Sequence, residues 1–306
     1  MNIIVQKFGG TSVSTEDRRK QVAVKVKEAI DNGFTPIVVV SAMGRKGQPY
    51  ATDTLLTLID DKFKESNRNS KDLLMCCGEI ISSVVVANAL YNEGIQAVPL
   101  TGGQAGIITD DNFCEAEYIS IDIDRLLSVV REGKVPVVTG FQGITKDGYF
   151  TTLGRGGSDT TACILGNAVN AKEIEIYTDV DGIMTADPRI VEDASLIDEI
   201  TYNEVFQLAD QGAKVIHPKA IDLAKKGNIP LFIKNTMGES KGTLVSNNTI
   251  GNERRYITGI TYLNNRIQVR IRLSENSNIK VYQNLLESYK FRSYQHLSST
   301  SIFYSR

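Results

Sequence analysis

Short apolar runs alternate with segments whose apolar residues recur at helical spacing over most of the chain. The run at residues 37–40 is apolar throughout, which is typical of a strand buried on both faces of a parallel sheet. Strands are predicted at residues 2–8, 37–40, 96–100, 106–109, 135–139, 173–177 and 230–234, and helices at 15–33, 54–65, 71–92, 122–132, 160–169, 203–210 and 217–226. This alternation predicts an α/β fold in three αβα layers, with a mostly parallel central sheet covered by helices on both faces.

Glycine-rich turns follow the predicted strands at their carboxyl ends, where the binding sites of parallel sheets cluster. The richest turn occupies residues 151–162, after a hairpin-like segment centred on residues 146–148. Its three glycines would let the backbone approach a ligand, and Ser158 and Asp159 occupy positions favoured for helix N-caps. Together with Arg155 they suit an anionic small molecule. A capped loop with an incidental arginine is an equally good interpretation of this loop alone.

Two lysines lie beside similar turns. Lys7 closes the first strand next to Gly9 and Gly10, where a cation beside backbone N–H groups can neutralise a transferring phosphoryl group. Lys214 follows another glycine turn before a predicted helix, and a second cation there would stabilise a leaving ADP. A structural surface role is an equally good interpretation of Lys7, and His217 is interpreted as a helix cap or packing residue rather than a base.

Carboxylates and their neighbours form a second group of candidates. Thr178 and Asp179 end a predicted strand, and Arg189 follows on an Asp-Pro loop, so these residues could hold the sugar and phosphates of a nucleotide. A structural Asp-Pro turn is an equally good interpretation of these residues. Glu79 lies in a helical and otherwise apolar stretch, where an unpaired carboxylate is costly. It therefore either binds a cation or pairs with a basic neighbour.

The composition limits the class of protein. With 306 residues, 42% hydrophobic and 23% charged, the chain is an ordinary globular protein, long enough for one large α/β domain and a small one. Its four cysteines form no CxxC pair and no metal-binding spacing, which indicates inert thiols in a reducing compartment. No GxxxxGK(S/T) phosphate-binding loop occurs. Without a signal-peptide pattern or about 18 consecutive apolar residues, a cytoplasmic protein without membrane contact is expected.

The apolar pattern stops near residues 236–255, which are rich in Gly, Ser, Asn and charge and are predicted to form a linker. The predicted domains are therefore 1–245 and 256–306. In the second, two short strands are predicted within 257–273, a helix at 277–290 and a strand at 300–304. Residues 254–306 hold nine Lys and Arg against two Glu. Because these charges are scattered, a solvated face or a subunit contact is favoured over nucleic-acid binding.

Taken together and in order, the motifs resemble those of the aspartokinases in the amino-acid-kinase superfamily. The resemblance covers residues 1 to about 245 and rests on segments 7–12, 40–44, 78–79, 140–143, 152–159, 178–183, 187–189 and 212–218. Related uridylate, carbamate, acetylglutamate and glutamate 5-kinases share the sheet and the lysines but not this whole set. The loop 43–53, with Arg45 and Lys46, is similar to that of the feedback-regulated bacterial enzymes of the diaminopimelate and lysine branch.

This resemblance implies the amino-acid-kinase fold and an aspartate kinase activity. The γ-phosphate of ATP would pass to the β-carboxylate of L-aspartate, the first step of lysine, diaminopimelate, threonine and methionine biosynthesis. ATP and Mg²⁺ would be the cofactors, no metal-ligating residue is identified, and a homo-oligomer, a dimer, is expected.

The resemblance also implies residue roles. The catalytic residues would be Lys7, which bridges the γ-phosphoryl group, Asp159, which orients the lysines, and Lys214. The aspartate-binding residues would be Ser41, Thr52, Glu79, Phe141, Arg155 and Ser158, with Glu79 on the ammonium and Arg155 on a carboxylate. The nucleotide-binding residues would be Lys7, Gly9, Gly10, Thr178, Asp179, Met184, Arg189 and Lys214. Met184 replaces a tyrosine found in some members.

The chemistry is compatible with these roles. A β-carboxylate, with an unperturbed pKa of about 3.9, is already ionised at neutral pH, so the reaction needs no general base. The difficulty is bringing two anions together, which positioning and positive charge overcome. Lys7, Lys214, Arg155 and Mg²⁺ would supply that charge.

Aspartokinases usually continue into two ACT domains, which bind the feedback amino acid and build the dimer. Residues 257–306 resemble the opening part of the first, with 266–271 as its first strand. Two alternatives stay open: a catalytically silent, amino-acid-binding regulatory paralogue, and a sister enzyme of the same fold with another substrate. The opposite charges of Glu79 and Arg155 favour an amino-acid substrate, and the intact lysines argue against a silent copy.

Overall fold

The computed structural model describes residues 1–213, 215–247, 257–262, 267–272, 293–297 and 300–305, the last three segments by their backbone alone. The chain divides into two compact units, Met1–Ile260 and Thr261–Arg306. The helices are α1 (Glu16–Asp31), α2 (Thr52–Leu55), α3 (Asp61–Ser66), α4 (Arg68–Asn92), α5 (Asp124–Arg131), α6 (Gly157–Ala168), α7 (Tyr202–Asp210) and α8 (Pro218–Gly227). The strands are β1 (Ile3–Phe8), β2 (Thr35–Val40), β3 (Ala97–Leu100), β4 (Ile107–Thr109), β5 (Tyr118–Ile121), β6 (Val135–Thr139), β7 (Gln142–Ile144), β8 (Phe150–Thr152), β9 (Glu173–Thr178), β10 (Glu199–Thr201), β11 (Leu231–Asn235), β12 (Thr243–Ser246), β13 (Ile267–Arg272), β14 (Ser293–Leu297) and β15 (Thr300–Ser305).

The main sheet of the first unit contains eight strands among the described residues, in the order β10-β12-β11-β9-β1-β2-β6-β3. Every neighbouring pair is parallel except β11 and β12. The predicted mostly parallel sheet is therefore confirmed. Strand β1 lies in its interior, between β2 and β9, so the residues that follow these three strands meet at one edge of the sheet.

Both faces of the sheet are buried. In β2, Ile37 and Val39 belong to one apolar core, whereas Val38 and Val40 belong to the other. Helices α1 and α4 cover the second core, and α5, α6, α7 and α8 cover the first. This packing confirms the three αβα layers and explains why β2 is apolar at every position from Ile37 to Val40.

Helix α4 is the one helix in the described part of the chain that is long and apolar enough to cross a membrane. A core helix of a globular protein passes the same test, and half of this apolar stretch is buried within the fold. The helix also buries two carboxylates, Asp72 and Glu79. These features are those of a core helix.

A smaller sheet, β5-β4-β7-β8, precedes the glycine-rich loop. Strands β7 and β8 pair antiparallel, and Gly148 has a positive φ of 84° in the turn between them. The hairpin predicted around residues 146–148 is thus confirmed. Strand β5, which was not predicted, is mostly exposed, although Ile119, Ser120 and Ile121 alternate between apolar and polar residues.

Several predicted boundaries are wrong. The helix predicted at 54–65 is broken into α2, a 3₁₀ turn and α3, because Ile59 is extended with φ −131° and ψ 147°. Strand β12 lies inside the predicted linker 236–255, where Thr243 and Val245 are buried between β10 and β11. Residues 257–262, part of the predicted strand pair, form no strand, and Ile260 N instead donates to Thr185 O at 2.8 Å.

In the second unit, the described strands form an antiparallel sheet in the order β13-β15-β14. Strand β15 confirms the strand predicted at 300–304, and β13 overlaps the predicted strand 266–271. The helix predicted at 277–290 lies outside the described residues.

Candidate functional site

A cavity of about 310 Å³ opens where β1 and β2 end and α6 begins. Its lining contains both cationic and anionic side chains. The lining residues are Lys7, Ser41, Thr52, Glu79, Phe141, Gly154, Arg155, Gly156, Gly157, Ser158 and Asp159. All the aspartate-binding residues implied by the sequence therefore face one cavity, together with two of the three implied catalytic residues.

Lys7 and Asp159 form a buried ion pair at the floor of the cavity. The Nζ–Oδ1 distance is 2.7 Å, and the side chains are 11% and 12% exposed. Lys7 belongs to β1, and Asp159 lies in the first turn of α6. An ammonium group with a fixed partner has few alternative positions, so a cation is held at a defined point beside the Gly9-Gly10 turn.

The Gly9-Gly10 turn is enclosed by the neighbouring strand ends. Gly9 N donates to Tyr177 O at 3.2 Å, and Gly44 N donates to Gly10 O at 2.9 Å. A Cβ atom on Gly10 would lie 2.4 Å from Ala42 O. Any side chain at position 10 would therefore displace the residues that follow β2, and with them one wall of the cavity.

Glu79 enters the cavity wall from α4. Gly78 allows the close approach, since a Cβ atom there would lie 2.8 Å from Ala42 Cβ. Glu79 Oε1 accepts a hydrogen bond from Ala42 N at 3.0 Å, whereas Oε2 lacks a partner within the described part of the chain. Burial raises the pKa of Glu79 to about 8. A half-satisfied, buried carboxylate facing a cavity suits a cationic ligand group.

The glycine-rich loop packs on Phe141. Phe141 has a positive φ of 71°, an uncommon conformation for an aromatic residue, and its N donates to Thr161 Oγ1 at 3.0 Å. A Cβ atom on Gly157 would lie 2.7 Å from the Phe141 ring, and one on Gly140 would lie 2.7 Å from Ser158 Cβ. This packing sets the part of the cavity wall that the glycine-rich loop contributes.

The predicted helix caps in this loop are wrong. The N-cap of α6 is Gly156, in the left-handed region with φ 70°, and no side chain caps the helix. Ser158 and Asp159 instead lie within the first turn, which leaves both side chains available to the cavity. Arg155, one residue before the cap, is exposed at the cavity rim.

Among the residues implied in nucleotide binding, Lys7 lines this cavity and Gly10 lines a second one nearby. Neither cavity is lined by Gly9, Thr178, Asp179, Met184 or Arg189. Thr178 ends β9, where its carbonyl oxygen accepts from Thr236 N at 3.0 Å. Asp179 Oδ2 pairs with Arg45 Nη2 at 2.5 Å. Met184 forms an isolated bridge with Leu196, and Arg189 pairs with Asp187 at 2.6 Å.

Lys214 lies outside the described residues. The nearby His217 is the N-cap of α8, and its Nδ1 accepts from Lys219 N at 3.3 Å. Its interpretation as a cap and packing residue is confirmed, because a Cβ atom on Gly156 would lie 2.2 Å from His217 Cβ. Burial lowers the pKa of His217.

Sequence analysis missed Asp72, which lies on α4 two turns before Glu79. It is fully buried, and its oxygens accept from Thr152 N at 2.9 Å, Thr152 Oγ1 at 2.8 Å and Cys114 N at 2.9 Å. These bonds join α4 to the end of β8, directly before the glycine-rich loop. The signal that identified Glu79, a carboxylate in an apolar helical stretch, did not apply to Asp72, because the four residues before it, 68–71, are polar.

A second cavity of about 220 Å³ shares Ser41, Thr52 and Glu79 with the first. It extends over the turn after β1 and the loop after β2. Its other lining residues are Gly10, Ala42, Gly44, Arg45, Lys46, Ala51 and Asp53. Arg45 and Lys46 belong to the long loop 43–53 and are not among the residues for which the sequence implies a role.

Comparisons with known proteins agree on one family. The sequence model of the Amino acid kinase family matches residues 2–235. Aspartokinase 1 of Bacillus subtilis (strain 168) is 48% identical over 276 residues, which is 89% of this chain and 68% of that protein. The chain spans 62% to 68% of the length of the first curated relatives that it matches.

Solved structures give the same result. Escherichia coli aspartokinase III in complex with lysine and aspartate (T-state) superposes with a TM-score of 0.79 and 26% identity, covering 99% of this chain and 79% of that one. The same enzyme in complex with aspartate and ADP (R-state) gives a TM-score of 0.70 and 25% identity, covering 99% of this chain and 78% of that one. The chain therefore belongs to the amino acid kinase family, among its aspartokinases.

Proposed function

We propose that this chain is an ATP-dependent aspartate kinase, which transfers the γ-phosphoryl group of ATP to the β-carboxylate of L-aspartate and forms 4-phospho-L-aspartate. One observation carries the proposal: a half-satisfied buried carboxylate, Glu79, and an arginine, Arg155, line the same cavity as the Lys7–Asp159 ion pair. The relatives named aspartokinase, and the neighbouring structure with aspartate and ADP, support it.

The cavity suits a small molecule with an ammonium group and carboxylates. Glu79 Oε2 would accept from the α-ammonium group, and Arg155 would bind a carboxylate in a bidentate manner. Ser41, Thr52 and Ser158 would donate further hydrogen bonds, and Phe141 would pack against the substrate's carbon chain. These contacts would leave the β-carboxylate near Lys7, which lines the same cavity.

Phosphoryl transfer then requires positioning and positive charge rather than a base. The attacking carboxylate is already ionised, so no residue has to remove a proton. Lys7 would neutralise the transferring phosphoryl group, with Asp159 holding its ammonium in place, and Lys214 would stabilise the leaving ADP. The absence of a catalytic histidine from this scheme agrees with the capping role of His217.

The nucleotide would lie across the ends of β1 and β9. The N–H of Gly9 already donates to Tyr177 O, so the other backbone N–H groups of this turn would bind its phosphates. Thr178 and Asp179 would bind its sugar and phosphates, and Met184 and Arg189, on the segment that follows, would complete the nucleotide site together with Lys214. The short distance between β1 and β9, which are paired strands, permits one molecule to contact both ends.

Mg²⁺ would enter with ATP. The described residues contain no group of three or more His, Cys, Asp or Glu side chains that could hold a metal ion. This arrangement fits Mg²⁺, which keeps several waters and is commonly bound by substrate phosphates with few protein ligands. When bound, the ion would neutralise part of the phosphate charge.

We further propose that residues 1–245 form the catalytic domain, that 256–306 are part of an ACT-like segment, and that the chain acts in the cytoplasm as a homo-oligomer, a dimer. The antiparallel sheet of β13, β14 and β15 supports the β part of that segment. Aspartate, ATP and a second copy of the chain would be its partners, and the scattered charge of residues 254–306 gives no reason to add nucleic acid.

The proposal is tested by trapping the acyl phosphate with hydroxylamine in the presence of Mg-ATP. Aspartate should give a hydroxamate, whereas glutamate and acetylglutamate should not. Lys7→Ala should keep its circular dichroism spectrum and lose about a hundredfold or more in rate, because it removes the cation at the phosphoryl group. The matched control is Lys27→Ala, an exposed lysine of α1, which should react as the unaltered chain does.

Three results would contradict the proposal. Undiminished hydroxamate formation by Lys7→Ala would overturn the role of Lys7. Tight aspartate binding without any product would favour a catalytically silent regulatory chain. ADP release with UMP or another acid, but not with aspartate, would favour a sister kinase.

A further inference from the structure

The ion pair between Arg45 and Asp179 spans the phosphate-binding turn. Arg45 lies on the loop after β2, and Asp179 directly follows β9. In the sheet β1 lies between these two strands, so the Gly9-Gly10 turn at its end lies between the two loops. The 2.5 Å contact between Arg45 Nη2 and Asp179 Oδ2 therefore joins the two sides of the turn.

The backbone of Arg45 is fixed although its side chain is 71% exposed. Arg45 N donates to Gln48 Oε1 at 2.7 Å, and Gly47 N donates to Thr54 Oγ1 at 3.0 Å. Gly44 N donates to Gly10 O at 2.9 Å, which ties the loop to the turn itself. The guanidinium group is thus solvent-exposed at the end of an anchored backbone, with Asp179 as its ion-pair partner.

The second cavity places two cations next to this turn. Arg45 and Lys46 line it together with Gly10 and Gly44, and it shares Glu79 with the first cavity. Cationic side chains beside a glycine turn form a site for an anion with several oxygens. Nothing in the scheme for phosphoryl transfer uses these two cations.

We propose that Arg45 is an additional ligand of the terminal phosphates of the nucleotide, and that Asp179 holds its guanidinium group while the site is empty. This inference rests on the proposed function, since it assumes that a nucleotide binds at the Gly9-Gly10 turn. An exposed ion pair contributes little stability, so Arg45 can exchange its contact with Asp179 for a contact with a phosphate group of higher charge. The exchange also releases the Asp179 carboxylate to accept from the sugar hydroxyls of the same nucleotide.

The test measures nucleotide affinity by titration calorimetry with ATP, ADP and AMP, each in the presence of Mg²⁺. Arg45→Ala should lower the affinity for ATP and ADP by about tenfold or more, because a charged hydrogen bond is lost. The affinity for AMP should stay within about twofold of that of the unaltered chain. Arg45→Lys, which keeps the charge but not the bidentate geometry, should give a smaller loss. Arg125→Ala, an exposed arginine of α5 that lines neither cavity, is the matched control and should bind all three as the unaltered chain does.

Two outcomes would overturn the inference. The first is an Arg45→Ala variant that binds ATP and ADP within about twofold of the unaltered chain. The second is an equal loss for ATP, ADP and AMP together with a lower melting temperature, which would mean that Arg45 only braces the loop. If the unaltered chain forms the hydroxamate and Arg45→Ala binds ATP normally, this inference alone fails. If the unaltered chain binds no nucleotide, the proposed function fails with it.

Discussion

Two buried carboxylates on α4 differ in how they are satisfied. Asp72 is fully buried and accepts hydrogen bonds from Thr152 and Cys114 with both of its oxygens. Glu79 is 3% exposed and accepts one from Ala42 N, while its second oxygen lacks a partner within the described residues. Seven residues apart on one helix, they lie on the same face about two turns from each other.

The difference separates a structural carboxylate from a ligand-binding one. A buried charge without enough partners is costly, so a protein retains it where a ligand completes the set. Asp72 joins α4 to β8 and so to the loop containing Arg155, whereas Glu79 joins α4 to the residues after β2. The helix thereby sets the separation between the groups proposed to bind the ammonium and carboxylate ends of the substrate.

The largest expected effect is on stability, at Asp72. Asp72→Ala should lower the free energy of unfolding by about 3–5 kcal/mol, because it leaves two backbone N–H groups and a hydroxyl without their buried acceptor. Urea unfolding measures this loss. Glu65→Ala, on the exposed surface of α3, is the control and should change stability by less than about 0.5 kcal/mol. A loss below about 1 kcal/mol for Asp72→Ala would remove the distinction between the two carboxylates.

A smaller effect, on binding rather than stability, is expected at Glu79. Glu79→Gln should lower the affinity for aspartate by about tenfold to a hundredfold, because the ammonium of aspartate loses its charged partner. ATP affinity should not change, and the free energy of unfolding should not fall, since the amide oxygen can still accept from Ala42 N. Calorimetry and urea unfolding report the two quantities. A stability loss as large as that of Asp72→Ala, with aspartate binding intact, would reverse the assignment.

The pH dependence of folding stability and of aspartate affinity should further distinguish Glu79 from Asp72. The pKa of Glu79 is raised from 4.5 to about 8, so between these values the folded chain keeps a proton that the unfolded chain has lost. Folding stability without ligand should therefore fall as pH rises through this window, and the fall should vanish in Glu79→Gln. Since the ammonium needs the ionised form, aspartate affinity should rise about tenfold from about pH 6.5 to about pH 8. A flat affinity profile would contradict this use of Glu79.

The main sheet could be predicted from sequence because β1 begins with three apolar residues, β2 ends with four, and β9 alternates polar and β-prone apolar residues, patterns that do not depend on distant residues. Strand β12 could not be, since it is stabilised by pairing with β10 and β11 rather than by its own composition. The break in the helix predicted at 54–65 falls at Ile59, a position with no proline or glycine to mark it.

The same limit applies to the site. Lys7 and Arg155 could be found because they lie at a strand end and in a glycine turn, and Glu79 because it is a carboxylate in an apolar helical stretch. The structure brings all three to one cavity. Sequence could not predict whether each carboxylate is fully hydrogen-bonded, because the donors to Asp72 come from residues distant in sequence. The pairing of Arg45 with Asp179 was hidden for the same reason: it follows from the order of the strands in the sheet, not from their order in the chain.

The interior position of β1 has a consequence for biosynthesis. A nascent chain leaves the ribosome N-terminus first, so β1 and β2 can pair early, whereas β9 and α6 arrive much later. Until then one edge of β1 is unpaired, and the ammonium of Lys7 lacks its ion-pair partner, the carboxylate of Asp159. Open strand edges associate readily with other chains. We expect translation of the middle of the chain to be the period when chaperones protect it most from aggregation.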